Sequence, residues 1–581
     1  MKNVFFFLFA SVAAVAFVRV NKPEANTDMV KVREQVLAYK NANLFGCSAN
    51  LSAFNLEDSA NVIPLLNGWG NYRMPVTATN DSAQIYFQQG INMYYGFHII
   101  EALASFDKAV KFDENFAMGY WGKALSYGPN INDLGYAASP DALVAVDKAT
   151  HLYNNCTMVE KALINAMMVR YSADSTQSRE HLNQLYADAM KKVHEDFPAS
   201  ADAAALYADA LMVQHPWDLY DRSYKPKPWT PAIVNVLEKL VKTFPDHPGA
   251  CHYYIHAVEG SQHPEHALAV ADRLGGMMPG LAHLVHMPSH IYIRSGYYNK
   301  GVQVNELAVK QYYNYLSKYQ PVVNNAPLYI SHNLHMQATC ANMDGNFSSA
   351  LKMSEDAKNS FDTAWLDAGG YLGCYIQYVY MTPLFTQIRF GKWDDILKAA
   401  AVPASRVYAN ILWHYGRGLA FARKHQFDNA ETELHKMRDS MLVAQLQESP
   451  PAFNPAVASV KVAEKILQGV IAEEKKQYTE AVAFLEQAVD TETGMLYNEP
   501  KDWPHPARQY LGNALLKAKM YTEAEKVYKE DLNINPNNAW SLVGLKQAQI
   551  MQGEKKEAMK TQERANRALF HSDAHIVSSV F

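Results

Sequence analysis

SAQIYFQQGINMYYGFHIIEALASFDKA, residues 82–109, decides the fold. With Ala83 as position 1 of a 34-residue unit, Gly90 falls at position 8, Ala102 at 20, Phe106 at 24 and Ala109 at 27. A glycine inside a solvated helix costs about 1 kcal/mol relative to alanine, so its regular return marks places where two helices touch. The same register recurs at Gly418, Ala430 and Leu434, at Gly469, Ala481, Leu485 and Ala488, and at Gly512, Ala524, Tyr528 and Pro536. One more unit follows with Ala558 and Ala565. A pattern that returns this often specifies an all-α chain of antiparallel helix pairs in a curved array, a solenoid.

These small and aromatic positions resemble the tetratricopeptide repeat family, with Glu114 standing where many members carry proline. The chain also resembles a poorly characterised bacterial group of such proteins, with HxxxH pairs in successive repeats. The shared stretches here are residues 91–132, HPGACHYYIHAVEGSQHPEHALAVADRL (247–274), HLVHMPSHIYIRSGYY (283–298) and NEPKDWPHPARQYLGNALL (498–516). Lys501 replaces a proline common in similar proteins. The resemblance implies the fold and carries no activity.

Composition narrows the function classes. Fifty-three Lys and Arg against 58 Asp and Glu give a net charge of −5, with both signs interspersed. No basic block or basic-aromatic stripe supports nucleic-acid binding. Hydrophobic residues make up 49 % of the chain, ample for burial. Five scattered cysteines without a CxxC are not a disulfide framework and read as small buried side chains.

Residues 1–17, MKNVFFFLFASVAAVAF, read as a secretory signal with a cut near Ala16, the competing reading being an amino-terminal membrane anchor. Export to the periplasm or outside is expected. LFGC around Cys47 has a polar approach that speaks against lipidation, and no later segment is apolar enough to span a bilayer. The expected organisation is a signal or anchor at 1–16, an irregular segment packed on the array at 17–81, a first array with a histidine-rich groove at 82–410, a second array at 411–575 and a tail at 576–581.

The chemistry-bearing residues are histidines. His252 and His256 form one i, i+4 pair; His286 and His290 form another, offset by 34 residues. In this repeat family positions 2, 5, 9 and 12 of each first helix line the concave groove. His252, His256 and Glu259 occupy positions 5, 9 and 12 of one unit, His286 and His290 positions 5 and 9 of the next, and His332 and His335 positions 2 and 5 of a third. His252, His256, His286, His290 and His335 are therefore the candidate metal ligands, with copper favoured, then iron or zinc. Ligand spacing alone suggests a coupled pair of ions with three histidines each. A mononuclear His252–His256–Glu259 site and a metal-free histidine network remain open alternatives. Glu259 is expected to hydrogen-bond a ligand imidazole or act as a base, while His263 and His266 read as surface residues.

Proline- and aromatic-rich insertions at 216–230, 401–406, 448–455 and 495–510 interrupt the array and are expected to shape one face of it. Within the last, Arg508 is a candidate catalytic residue with a fork suited to carboxylate or phosphate, its alternative being a salt bridge to Glu499. No GxSxG, HExxH or GxGxxG sequence supports hydrolase, zincin or dinucleotide chemistry. Two functions compete: a metal-dependent oxidoreductase holding a small organic substrate in the groove, and a non-catalytic scaffold that binds a peptide or protein there.

Overall fold

The computed structural model describes residues 56–133, 136, 138–319 and 326–581. The signal or anchor and the lipidation sequence at Cys47 lie outside the described residues.

The described chain is all-α and built of stacked antiparallel helix pairs, a tetratricopeptide-like solenoid. Its only β contact among those residues is an isolated bridge between Tyr220 and Pro226. The quoted stretch forms helices Asp81–Tyr95 and Ile99–Phe112. Asn80 caps the first by accepting from the Ala83 amide, a bond that satisfies one of the donors a helix start leaves unpaired. Residues 63–80 are non-helical and bury Trp69 and Met74 in the core, after a short helix Leu56–Val62 within the stretch read as irregular.

Glycine and the aromatic residue at position 24 interlock. A Cβ on Gly90 would collide with the Phe106 ring, and one on Gly122, in helix Ala117–Ser126, would collide with the same ring. Phe106 thus fills the space vacated by its own unit's glycine and by the next unit's. Tyr528 repeats the arrangement against Gly512 and Gly544. Ala102, Ala109, Ala524 and Phe106 are fully buried in these contacts.

Two large apolar cores run along the solenoid. Helix Gly370–Tyr380 belongs to both, with Ile376 and Val379 in the first and Cys374 and Tyr378 in the second. Cys251, Cys340 and Cys374 are buried free thiols and Cys156 is a partly buried one. No described helix is long and apolar enough to cross a membrane.

Phe106→Ala removes a ring that two glycines were shaped to receive. A loss of about 3–5 kcal/mol is expected, as for other large-to-small core substitutions. A thermal unfolding midpoint unchanged from the parent protein would contradict this packing role.

Candidate metal centre

Helix Pro248–Val258 carries the first pair. Its start is fixed by Pro248 in the first turn and by His247, whose Nδ1 accepts from the Ala250 amide. The second pair spans a joint: helix Ala282–His286 ends at Met287 and Pro288 opens helix Pro288–Ser295. Proline has no amide hydrogen, so one helical hydrogen bond is missing there. Met287 keeps right-handed helical angles, and His286 and His290 remain on one face, their ring centroids 4.8 Å apart.

The histidines gather into two sets of three, His252 with His256 and His283, and His286 with His290 and His332. In each set one nitrogen per ring lies within 4.8 Å of the others. His252 Nε2 is 3.1 Å from His283 Nε2. His286 Nε2 is 2.8 Å from His290 Nε2 and 3.0 Å from His332 Nε2. The sets abut, with ring centroids of His256 and His290, and of His283 and His286, 6.1 Å apart. Five of the six rings are buried and His332 is partly buried.

Four of the opposite ring nitrogens face an oxygen acceptor, while His283 Nδ1 is buried without a hydrogen-bond partner. His252 Nδ1 donates to the Tyr95 carbonyl at 2.6 Å, and His256 Nδ1 to Glu259 Oε1 at 2.9 Å. Glu259 Oε2 lies 2.5 Å from His290 Nδ1. His286 Nδ1 donates to Asn305 Oδ1 at 2.6 Å, and Asn305 is oriented by its own donation to the Gly301 carbonyl. Acceptors at Nδ1 keep the proton there and leave Nε2 a lone pair. With Nδ1 protonated on both rings, His286 Nε2 and His290 Nε2, 2.8 Å apart, can meet only through a proton or a cation placed between them. His256 Nε2 is buried with no hydrogen-bond partner. A cation shared by three lone pairs relieves this conflict, so the residues present fit a metal ion in each set.

Burial drives His252, His283, His286 and His332 well below the usual histidine range, aided by their neighbouring imidazoles. Burial acts the same way on His290, but the Glu259 charge outweighs it and raises that ring. Glu259 is itself held down to about 2: burial opposes its charge, and His290 and His256 overcome it. Glu259 thus spans the two sets behind the ligand nitrogens.

Both sets open on a cavity of about 410 Å³. Three of the four insertions fold over it, contributing Trp217, then Pro450 and Phe453, then Asn498, Glu499, Pro500 and Asp502. The 401–406 break does not line it.

The sequence-derived ligands His252, His256, His286 and His290 thus sit together. His335 lines the same cavity but packs its ring on Tyr378, with centroids 4.8 Å apart, and belongs to neither set. Burial lowers it to about 3. Arg508 faces elsewhere: it bonds the Thr493 hydroxyl and pairs with Glu530 at 3.6 Å, not with Glu499. His263 and His266 are exposed. His283 was missed, and His332, placed in the groove, was not named as a ligand; both occupy position 2 of their units. Applying the groove rule to position 2 as strictly as to position 5 selects them.

No family model and no curated protein sequence matches this chain. Among solved structures, it is similar to the human IFIT1 dimer with m7Gppp-AAAA, at 14 % identity and a TM-score of 0.29, covering 88 % of this chain and 99 % of that one. Yeast Tom70 aligns at 11 % identity and a TM-score of 0.27, over 84 % of this chain and 93 % of that one. The P58(IPK) TPR domain aligns at 14 % and 0.21, over 82 % and 99 %. Overlays this loose carry no argument about the site.

His283→Ala and His332→Ala are each expected to lower the Zn(II) or Cu(II) bound at saturation by about one ion per chain, since each breaks one three-imidazole set. His335→Ala should leave the metal content unchanged. Elemental analysis of untagged, dialysed protein reads the difference; equal losses from all three would reject the assignment.

Proposed function

We propose that this protein is a metal-dependent oxidoreductase that turns over a small organic molecule in the aromatic cavity, with copper the favoured ion ahead of iron or zinc. The observation that carries this reading is the pair of three-imidazole sets beside the cavity, with the Nδ1 atoms of His252, His256, His286 and His290 each held from behind by an oxygen. Imidazoles without thiolate suit copper, and mononuclear iron oxygenases typically add a carboxylate ligand. Here the nearby carboxylate, Glu259, is engaged with the rear nitrogens instead. Bound copper or iron would supply electron transfer toward dioxygen, and bound zinc Lewis-acid chemistry.

The chain's own groups have definable tasks in this reading. Glu259 keeps a proton on His256 Nδ1 and His290 Nδ1, which fixes both rings and makes their Nε2 atoms better donors. Asn305 and the Tyr95 carbonyl do the same for His286 and His252. Trp217, Tyr371 and Phe453 exclude water and offer flat faces to a bound ring.

The second reading, a non-catalytic scaffold, is supported by the helical-repeat fold and by a groove whose aromatic walls equally suit a peptide. Metal decides between them. Untagged protein that contains no transition metal and takes up none from Cu(II), Fe(II) or Zn(II) would leave the scaffold.

Glu259→Gln tests the carboxylate. A glutamine accepts from one Nδ1 but turns an N–H toward the other, so metal affinity should fall about 10–100-fold, still filling at micromolar metal. Dioxygen uptake with a panel of phenols and amines should fall much further. Complete loss of metal would make Glu259 essential for holding the ions; unchanged uptake would remove it from the site.

We also propose export, on the reading of residues 1–17. Amino-terminal sequencing of protein from its native host should begin near residue 17, and a retained Met1 in soluble cytoplasmic protein would refute it.

A further inference from the structure

The cavity that the histidine sets open on has a second chemical character. Its lining includes the carboxylates of Glu448, Glu499 and Asp502 and no lysine or arginine among the described residues. Asp502 is satisfied by the side-chain amides of Asn454 and Asn498, at 2.8 and 3.0 Å. Glu499 is not. Tyr497 donates its hydroxyl to Oε2 at 2.8 Å, while Oε1 is buried with no hydrogen-bond partner. The residue is 8 % exposed and lines the cavity. A buried carboxylate oxygen without a donor costs free energy unless something supplies one.

Beside it runs a continuous aromatic surface. Tyr371 and Phe453 have ring centroids 5.8 Å apart, and Phe453 and Trp217 6.4 Å. Trp217 then meets the His256 ring edge-on at 5.4 Å. Ring faces attract a cation and stack on an aromatic ligand, and the carboxylates repel an anion. A volume of about 410 Å³ is near the lower end of the range for small-molecule pockets, about 300–1,000 Å³, and admits a single ring with a short side chain.

We propose that the cavity binds a single-ring arylalkylamine as its ammonium form, the ring held along Trp217, Phe453 and Tyr371 and the ammonium donating to Glu499 Oε1. This names the ligand class of the site and rests on the reading of the cavity as a substrate site, though not on metal being bound. Burial raises the Glu499 carboxyl to about 6, against the opposing charge of His290, so it remains ionised above neutral pH. The amine is then cationic and the two charges meet inside a low-dielectric wall, where the pair is stronger than in water.

The test is isothermal titration calorimetry on the full-length chain, both metal-free and metal-loaded, at about pH 8, where carboxylate and ammonium are both charged. Phenethylamine, phenethyl alcohol and hydrocinnamate serve as probes that share a ring and differ in charge. Phenethylamine should bind at least about tenfold tighter than the alcohol, the order expected for a charge-assisted hydrogen bond, with hydrocinnamate weakest. Glu499→Gln should abolish the preference for the amine over the alcohol, and Phe453→Ala should weaken both alike. Hydrocinnamate binding as tightly as the amine would overturn the proposal. So would an amine preference that survives Glu499→Gln, or no binding of any probe in either form. A protein that takes up no metal but keeps the Glu499-dependent preference would defeat the oxidoreductase reading and leave this one standing.

Discussion

The site depends on places where a missing side chain lets two helices approach closely. A Cβ on Gly249 would collide with the Tyr95 ring, so helix Pro248–Val258 presses directly on helix Asp81–Tyr95. That approach brings the Tyr95 carbonyl onto His252 Nδ1. Gly301 plays the same part farther along, where an added Cβ would strike the Cys340 sulfur. Its carbonyl also receives the Asn305 amide, which turns Asn305 Oδ1 toward His286. The glycines therefore set helix spacing and, through it, which imidazole nitrogen is free.

The repeat itself explains why there are two sets. Each takes positions 5 and 9 of one first helix and position 2 of the next: His252 and His256 with His283, then His286 and His290 with His332. A translation by one repeat carries the first set approximately onto the second. The supports behind the rings do not repeat. A backbone carbonyl holds His252, an amide holds His286, and Glu259 lies across the boundary between the sets. A conserved scaffold geometry thus carries two histidine sets in unlike electrostatic surroundings.

Burying Glu259 with His256 and His290 is costly unless the charge is well met. Charges taken from water into a protein interior each lose several kcal/mol of solvation, and only close, hydrogen-bonded partners repay it. The hydrogen bond to His256 at 2.9 Å and the ion-pair contact with His290 at 2.5 Å supply those partners. Glu259 meets an imidazole at each oxygen and does not line the cavity, whereas Glu499 lines it and has no donor at Oε1.

The periodicity of small and large apolar residues from Ala83 to Phe106, returning along the chain, determined the helix pairs, because that spacing lets a glycine gap receive the side chain at position 24, Phe106, Leu485 or Tyr528. Spacing also placed His252 with His256 and His286 with His290, since residues four apart share a helix face, even across the Pro288 joint. The role of position 2 was legible by the same rule, which placed His332 in the groove and would have placed His283 there too. His335 shows the limit of the rule: position 5 points a residue into the groove, but packing on Tyr378 keeps it out of either set. Arg508 shows another, because its partner Glu530 comes from the following helix, not from the proline-rich segment that suggested Glu499. The Tyr95 carbonyl behind His252, from 157 residues away, and the closure of three separate insertions over one cavity were decided by the tertiary structure alone. No local pattern encodes them, because they arise from how the solenoid curves and which loops its curvature brings face to face.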